Sequence, residues 1–99
     1  MSNDLEVLKA ARQLIDKQSH IPRWKFLDVH NCYCLMGAIG IYHNPNQGYI
    51  LFDNDGDRFA RYLGFKKEAD AFEYNDSYTK EEIIKLMDTA IKKLENEND

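Results

Sequence analysis

The fold is decided by "CYCLMGAIGIY" at residues 32–42, an apolar run near the middle of a 99-residue chain. A run that is apolar on every face predicts an element buried at the centre of a domain. We interpret it as a helix with Asn31 as its N-cap, and a buried strand is the competing interpretation for so short a run. Gly37 and Gly40 lower helix propensity, but interior glycines disfavour a strand as well, so the helix is preferred.

Each end of the sequence carries an amphipathic helix. Residues 3–17 place apolar side chains at helical spacing, and Asn3 forms a capping box with Glu6. The last helix, over residues 80–95, begins after the N-cap Thr79, and the glutamate three residues on completes its capping box. The stripes that we expect to be buried are Leu5, Leu8, Ala11 and Ile15 in the first helix, and Ile83, Met87, Ala90 and Leu94 in the last.

A short helix is predicted between them. The segment "DRFARYLG" at residues 57–64 has inward-facing apolar side chains and ends at Gly64. Residues 65–78 are interpreted as a connector that leads to the last helix, and residues 49–52 have room for one short extended segment. The predicted fold class is mostly α, a small bundle of about four helices with long ordered connectors.

Size and charge restrict the function classes. Apolar residues make up 43% of the chain and charged residues 30%, which is a globular composition and predicts one domain over residues 1–99. We expect an ordered core at about residues 3–95 and a frayed tail at 96–99. The net charge of -4 and the lack of a basic block disfavour direct nucleic-acid binding. With no signal peptide and no apolar run long enough for a membrane helix, we expect a cytoplasmic protein with reduced thiols.

The ligand types that zinc prefers occur around the central run, at His30, Cys32, Cys34 and His43. Their spacing does not form two separated knuckles, and in a helix Cys32 and Cys34 point to different sides. The acidic string at residues 53–57 suggests calcium, but Arg58 and Gly64 stand where the loop needs glycine and glutamate. The sequence therefore predicts no metal and no cofactor, with those four residues as the weak metal candidates.

Cys34 is the candidate nucleophile, because a helix N-terminus lowers the pKa of a thiol. A hydrolase also needs an oriented base, and the three histidines lie at positions 20, 30 and 43, so the common order of Cys followed far downstream by His is absent. Asn75 and Asp76 can orient or polarise a group, but they do not replace an imidazole. The competing interpretation is that Cys34 is a small buried apolar side chain.

Three residues form a candidate binding surface: Trp24, Asn75 and Asp76. Trp24 is either an exposed binding aromatic or a lid over the core, and the lid is favoured. Asn75 and Asp76 either brace the entry to the last helix or form a polar recognition pair beside Cys34, and bracing is favoured.

The order of motifs along the chain resembles a known family. "LKAARQLI" at residues 8–15 is followed by "CLMGAI" at 34–39, "RFARYLGF" at 58–65, "FEYND" at 72–76 and "TKEEIIKLMDTAI" at 79–91. This pattern is similar to a family of short bacterial and phage proteins classed as a domain of unknown function, and it extends from about Leu5 to Leu94. The matching residues are Cys34, Gly37, Ala38, Asn75, Asp76 and Thr79. The resemblance implies no established activity.

We therefore expect a small cytosolic protein-binding module, in its most concrete form a phage-encoded or bacterial modulator of a host protein, rather than an enzyme. The alternative is a small ligand-binding domain or enzyme built around Cys34, Asn75 and Asp76. The expected partner is a protein, without nucleic acid or membrane, and the amphipathic last helix also permits a homodimer.

Overall fold

The computed structural model describes residues 3–23, 32–44 and 54–97. These ranges contain five helices in chain order: α1 Asn3–Lys17, α2 Leu35–His43, α3 Asp55–Tyr62, α4 Glu68–Ser77 and α5 Lys80–Glu97. The described ranges contain no strand. The prediction of a mostly α fold is confirmed, with one helix more than the expected four.

Helix α2 is the centre of the core, as its composition predicts. Its residues 35–40 are all buried. Helix α1 packs against α2 and α5, and α4 packs against α2 and α3. Because α2 is covered from several sides, an all-apolar sequence is stable there without a polar face.

The predicted start of α2 was wrong. The helix begins at Leu35 rather than at residue 32, and its N-cap is Cys34 rather than Asn31. Cys34 has extended backbone angles, φ -74° and ψ 175°, and its Sγ accepts a hydrogen bond from the Gly37 N–H at 3.3 Å. A sulfur acceptor therefore performs the capping role that serine or asparagine usually has.

The apolar stripes of α1 and α5 are buried as predicted. The predicted stripe residues that are fully or nearly fully buried are Leu5, Leu8, Ala11 and Ile15 in α1, and Ile83, Met87 and Ala90 in α5. Leu94 packs against the same core while partly exposed. Helix α5 continues to Glu97, two residues beyond its predicted end.

Helix α3 ends at the predicted glycine. Gly64 has φ +97°, and its N–H donates to the Arg61 carbonyl at 3.0 Å. The N–H of Phe65 donates to the Ala60 carbonyl at 2.9 Å. These two bonds are the Schellman arrangement, in which glycine takes the left-handed position without a Cβ penalty. The helix begins at Asp55, two residues before the predicted start.

The connector predicted at residues 65–78 is a second correction, because most of it is helix α4. The N-cap position holds Lys67, whose side chain makes no capping bond. The cap comes instead from α3, where Asp57 Oδ1 accepts from the Glu68 N–H at 2.8 Å. The Glu68 carboxylate also lies against Gly56, where an added Cβ would collide with it.

The capping box of α5 is confirmed. The Thr79 N–H donates to Glu82 Oε1 at 3.0 Å, and the Glu82 N–H donates to Thr79 Oγ1 at 3.2 Å. The next residue, Lys80, reaches across to the end of α1, where its Nζ donates to the carbonyls of Asp16 at 2.8 Å and Gln18 at 2.6 Å. The start of α5 thus satisfies carbonyls that the C-terminus of α1 leaves open.

Several predictions fall on residues outside the described ranges: the extended segment at 49–52, Trp24, His30 and the side chain of Asn3 in its capping box. Within the described ranges, no helix combines the length and the apolar character needed to cross a membrane.

Candidate functional site

Asn75 and Cys34 meet at the start of α2. Asn75 is 1% exposed, and its Oδ1 accepts from the Leu35 N–H at 2.9 Å. Its Nδ2 donates to the Pro22 carbonyl at 3.1 Å and to Asp76 Oδ1 at 3.2 Å. Asn75 therefore joins three parts of the chain: the segment after α1, the first turn of α2 and the last turn of α4.

The environment of Cys34 favours a neutral thiol. The side chain is 1% exposed. Burial raises the pKa of the Cys34 thiol to about 11, although the hydrogen bond from Gly37 acts in the opposite direction. The negative charge of Asp76 adds to the rise. Because the thiolate is the nucleophile, this geometry supports the structural interpretation of Cys34 more than the catalytic one.

The structure thus brings together the three residues of the alternative hypothesis. The polar atoms of Asn75 bond backbone groups, and the Cys34 sulfur caps its own helix. A buried amide that satisfies buried backbone groups is a typical structural element. Asn75 was predicted to brace the entry to the last helix, but its hydrogen bonds go to the start of α2 and to the segment after α1 instead.

The three metal candidates that the structure describes, Cys32, Cys34 and His43, are not gathered at one place. His43 is at the opposite end of α2 from Cys34, about 13 Å along the axis at 1.5 Å per residue. Cys32 Sγ lies 4.0 Å from His20 Nδ1. Across residues 3–23, 32–44 and 54–97, no group of three His, Cys, Asp or Glu side chains is arranged to hold a metal ion.

His43 belongs to a polar network that joins α1, α2 and α3. Its Nε2 lies 3.0 Å from Asp55 Oδ2, and Arg58 donates to Asp55 at 2.7 Å. Arg58 also donates to Asp4 at 2.9 and 3.2 Å, and the Tyr62 hydroxyl donates to Asp4 at 2.6 Å. Burial would raise the pKa of Asp55, but the contacts with His43 and Arg58 outweigh it and lower that pKa.

An aromatic surface that the sequence analysis did not identify lies along α4. The rings of Tyr74 and Tyr78 are stacked, with centroids 4.1 Å apart and planes at 13°. Phe65 is tilted against Tyr74 at 5.5 Å. These rings line an open cleft of about 450 Å³, which we call the tyrosine cleft and whose lining residues are Phe65, Asp70, Glu73, Tyr74, Ser77 and Tyr78.

A second open cleft, of about 370 Å³, contains the other well-exposed tyrosine among the described residues. It is lined by Glu6, Val7, Ala10, Tyr42 and His43. Tyr42 and Tyr78 are both 43% exposed. The two clefts differ in their polar groups, because Glu6 pairs with Lys9 at 3.7 Å and His43 contacts Asp55.

The sequence did contain a signal for the tyrosine cleft. Tyr74 and Tyr78 are four residues apart, the spacing at which two side chains share a helix face, and Tyr78 is the C-cap residue whose N–H still bonds the Tyr74 carbonyl. Because residues 65–78 were interpreted as a connector, the helical spacing of these two tyrosines was not recognised. What the sequence did not reveal was the N-terminal cap of α4. Asp57 supplies this cap from 11 positions earlier in the chain, so no local sequence pattern marks the start of the helix.

Comparison with known proteins assigns a family without an activity. A family model described as a family of unknown function, DUF6197, matches residues 1–93. No curated protein and no solved structure matches the chain. The match includes the Cys34 cap, the Asn75 brace and most of the five helices, in agreement with the resemblance of the sequence motifs. The chain belongs to this DUF6197 family of unknown function.

Proposed function

We propose that this protein is a small protein-binding module that acts on a partner through the tyrosine cleft. The observation that carries the proposal is the stacked pair of Tyr74 and Tyr78, which leaves Tyr78 43% exposed in an open cleft. We keep the sequence-based predictions of a cytoplasmic location, and of a bacterial or phage modulator of a host protein, as part of this proposal.

The physical basis is the low entropic cost of binding to rings that are already ordered. Aromatic side chains are enriched at the energetic centres of protein interfaces, because they bury a large area with few rotatable bonds. Tyr78 is held by its stack on Tyr74, and Tyr74 contacts Phe65 in turn. When a partner covers Tyr78, little side-chain motion remains to be lost, so the entropic cost of binding is small.

Binding is better supported than catalysis by the state of the candidate reactive groups. Cys34 is buried and capping a helix, and both amide atoms of Asn75 bond the backbone. By contrast, Tyr78 and the carboxylates of Asp70 and Glu73 in the tyrosine cleft are exposed. A surface with an exposed aromatic centre and a polar rim has the anatomy of a protein interface.

The test compares Tyr78→Ser with the matched variant Tyr42→Ser. Wild-type protein is used to capture partners from the organism that encodes it, and each captured protein is purified and titrated directly against all three forms. We expect one partner whose affinity falls at least about tenfold with Tyr78→Ser, since loss of an aromatic centre costs more than about 1.4 kcal/mol. Tyr42→Ser should keep the wild-type affinity.

Circular dichroism and urea unfolding establish that both variants fold, so that a lost interaction reports on the surface. Partners that bind Tyr78→Ser as tightly as wild type would contradict the proposal. Equal losses in both variants would also contradict it, because the effect would then not belong to the tyrosine cleft.

A further inference from the structure

We propose that the tyrosine cleft receives an arginine side chain from a basic segment of the partner protein. This inference rests on the proposed function and specifies the chemistry of the partner at that surface. It is carried by two features of the cleft that occur together, carboxylates without an ion pair among the described residues and a stacked aromatic pair.

The first feature is negative charge without a resident cation. Asp70 and Glu73 line the cleft, and its six lining residues include neither lysine nor arginine. Neither carboxylate forms an ion pair within the part of the chain that the structure describes. Helix α4 as a whole carries four acidic residues and no basic one.

Two carboxylates elsewhere in the described part of the molecule are paired with arginine. Asp88 accepts from Arg12 at 2.8 Å, and Asp55 accepts from Arg58 at 2.7 Å. The open carboxylates of the tyrosine cleft thus differ from the carboxylates that serve the fold. A cation supplied by another chain would give the cleft carboxylates the kind of pairing that Asp55 and Asp88 have within the molecule.

The third negative charge near the cleft is Glu82. Burial raises the pKa of the Tyr74 phenol, and the charge of Glu82 adds to that rise. Tyr74 therefore stays a neutral ring at physiological pH in a negative field. A neutral ring with carboxylates beside it attracts a cation through both its quadrupole and the neighbouring charge.

The second feature, the stack, selects arginine over lysine. A guanidinium is planar, stacks on aromatic faces and bonds carboxylates in a bidentate manner. Tyr78 presents an open flat surface, and two carboxylates lie on the same cleft. Lysine offers a compact, strongly hydrated charge that gains less from the flat ring.

The second cleft, which contains Tyr42, can be compared with the tyrosine cleft within the same molecule. It also has a tyrosine that is 43% exposed, but its carboxylate Glu6 is paired with Lys9. The same cation should therefore bind there less well. Any binding that depends only on an exposed ring would fail to distinguish the two clefts.

The experiment is an NMR titration of the full chain with the short peptide acetyl-Gly-Arg-Gly-amide. Two matched peptides replace arginine with citrulline, its neutral isostere, or with lysine. We expect amide shifts centred on residues 70–78, a Kd in the range of about 1 mM for the arginine peptide, and binding at least roughly tenfold weaker for citrulline. Lysine should be weaker than arginine.

Variants locate the site. The double variant Asp70→Asn/Glu73→Gln and the single variant Tyr78→Ser should each weaken arginine binding by about threefold or more, whereas Tyr42→Ser leaves it unchanged. Equal binding of the arginine and citrulline peptides, shifts centred on Tyr42, or no shift at about 10 mM peptide would overturn the inference. Equal binding of lysine would overturn the choice of a guanidinium.

A second copy of this chain is the competing occupant, because Lys92 and Lys93 are exposed near the end of α5. Concentration-dependent shifts of residues 70–78 without any peptide would support that occupant and overturn a separate partner. The proposed function and this inference can be contradicted independently of each other. A partner that depends on Tyr78 but tolerates loss of its arginines contradicts only this inference, and arginine binding without such a partner contradicts only the proposed function.

Discussion

Helices α2 and α5 begin in opposite ways. The first turn of α5 is exposed and is capped by its own neighbours, Thr79 and Glu82. The first turn of α2 is buried, and the Leu35 N–H donates to Asn75, which is 40 residues away. An exposed helix start has water as a substitute partner, whereas a buried one has only the protein. Leaving the first N–H groups of a helix without a hydrogen-bond partner therefore costs much more free energy in the core than at the surface.

The two starts should also respond to pH in opposite directions. At α2, burial favours the neutral form of the Cys34 thiol, whereas at α5 the hydrogen bonds from Thr79 favour the ionised form of the Glu82 carboxylate. Alkali should therefore weaken the first and acid the second.

The largest effect is expected from Asn75→Ala. The substitution leaves the Leu35 N–H and the Pro22 carbonyl without their partner in the core, which should cost about 3 kcal/mol. Urea unfolding followed by circular dichroism measures it. Asn96→Ala, the same change at an exposed position of α5, should stay within about 0.5 kcal/mol of wild type. A cost below about 1 kcal/mol at Asn75 would show that the buried brace is not needed.

Alkaline destabilisation through Cys34 is expected to be the next largest effect. The folded-state pKa of about 11 is raised above that of the unfolded thiol, so its contribution is complete below the unfolded value and is lost as pH rises toward 11. The loss should reach roughly 2 kcal/mol. The measurement is the difference in unfolding free energy between wild type and Cys34→Ala at several pH values from about 8 to 10.5. Parallel curves for the two proteins would refute the role of the thiol.

Thr79→Ala should cost about 1 kcal/mol, the usual value of an N-cap. Thr89→Ala is the matched control, because Thr89 is an exposed threonine of α5 that only bonds back to the Lys85 carbonyl. That control should be neutral or slightly stabilising, since alanine is the better helix former. Thermal unfolding of both variants distinguishes the loss of the N-cap from the general effect of replacing threonine by alanine. Equal melting temperatures would contradict a stabilising role of the Thr79–Glu82 capping box.

The smallest effect is expected from acid at α5. Hydrogen bonds from the backbone and side chain of Thr79 lower the pKa of the fully exposed Glu82. The folded-state pKa is depressed, so this stabilisation is present above the unfolded value of about 4.3 and is lost as pH falls through the folded value. The stability gap between wild type and Glu82→Gln should therefore shrink below about pH 5. A gap that stays constant would show that ionisation of Glu82 contributes nothing.

Elements with local signals were predictable from the sequence. The stripes of α1 and α5, the glycine stop of α3 and the capping box of α5 depend on residues within a few positions of one another. The start of α2 and the whole of α4 were not predicted. Their first N–H groups are satisfied by Asn75 and Asp57, and such partners are adjacent only after the chain has folded.

The candidate site follows the same division. The sequence indicated Cys34 and Asn75 and left open whether they meet, since that depends on how α4 packs against α2. The tyrosine cleft was missed because its helix was missed. Its acidic, aromatic composition is visible in the sequence at residues 65–78, but the stack forms between Tyr74 in α4 and Tyr78, the C-cap residue just after it, so it depends on where that helix ends.

The contact between α1 and α5 has a consequence for the order of synthesis. Arg12 binds Asp88, a residue made 76 positions later. Until both α2 and α5 have been translated, the side chains of Leu8, Ala11 and Ile15 have no complete core to enter. The apolar stripe of this amphipathic helix therefore reaches its packed state only near the end of synthesis, when α5 becomes available to cover it.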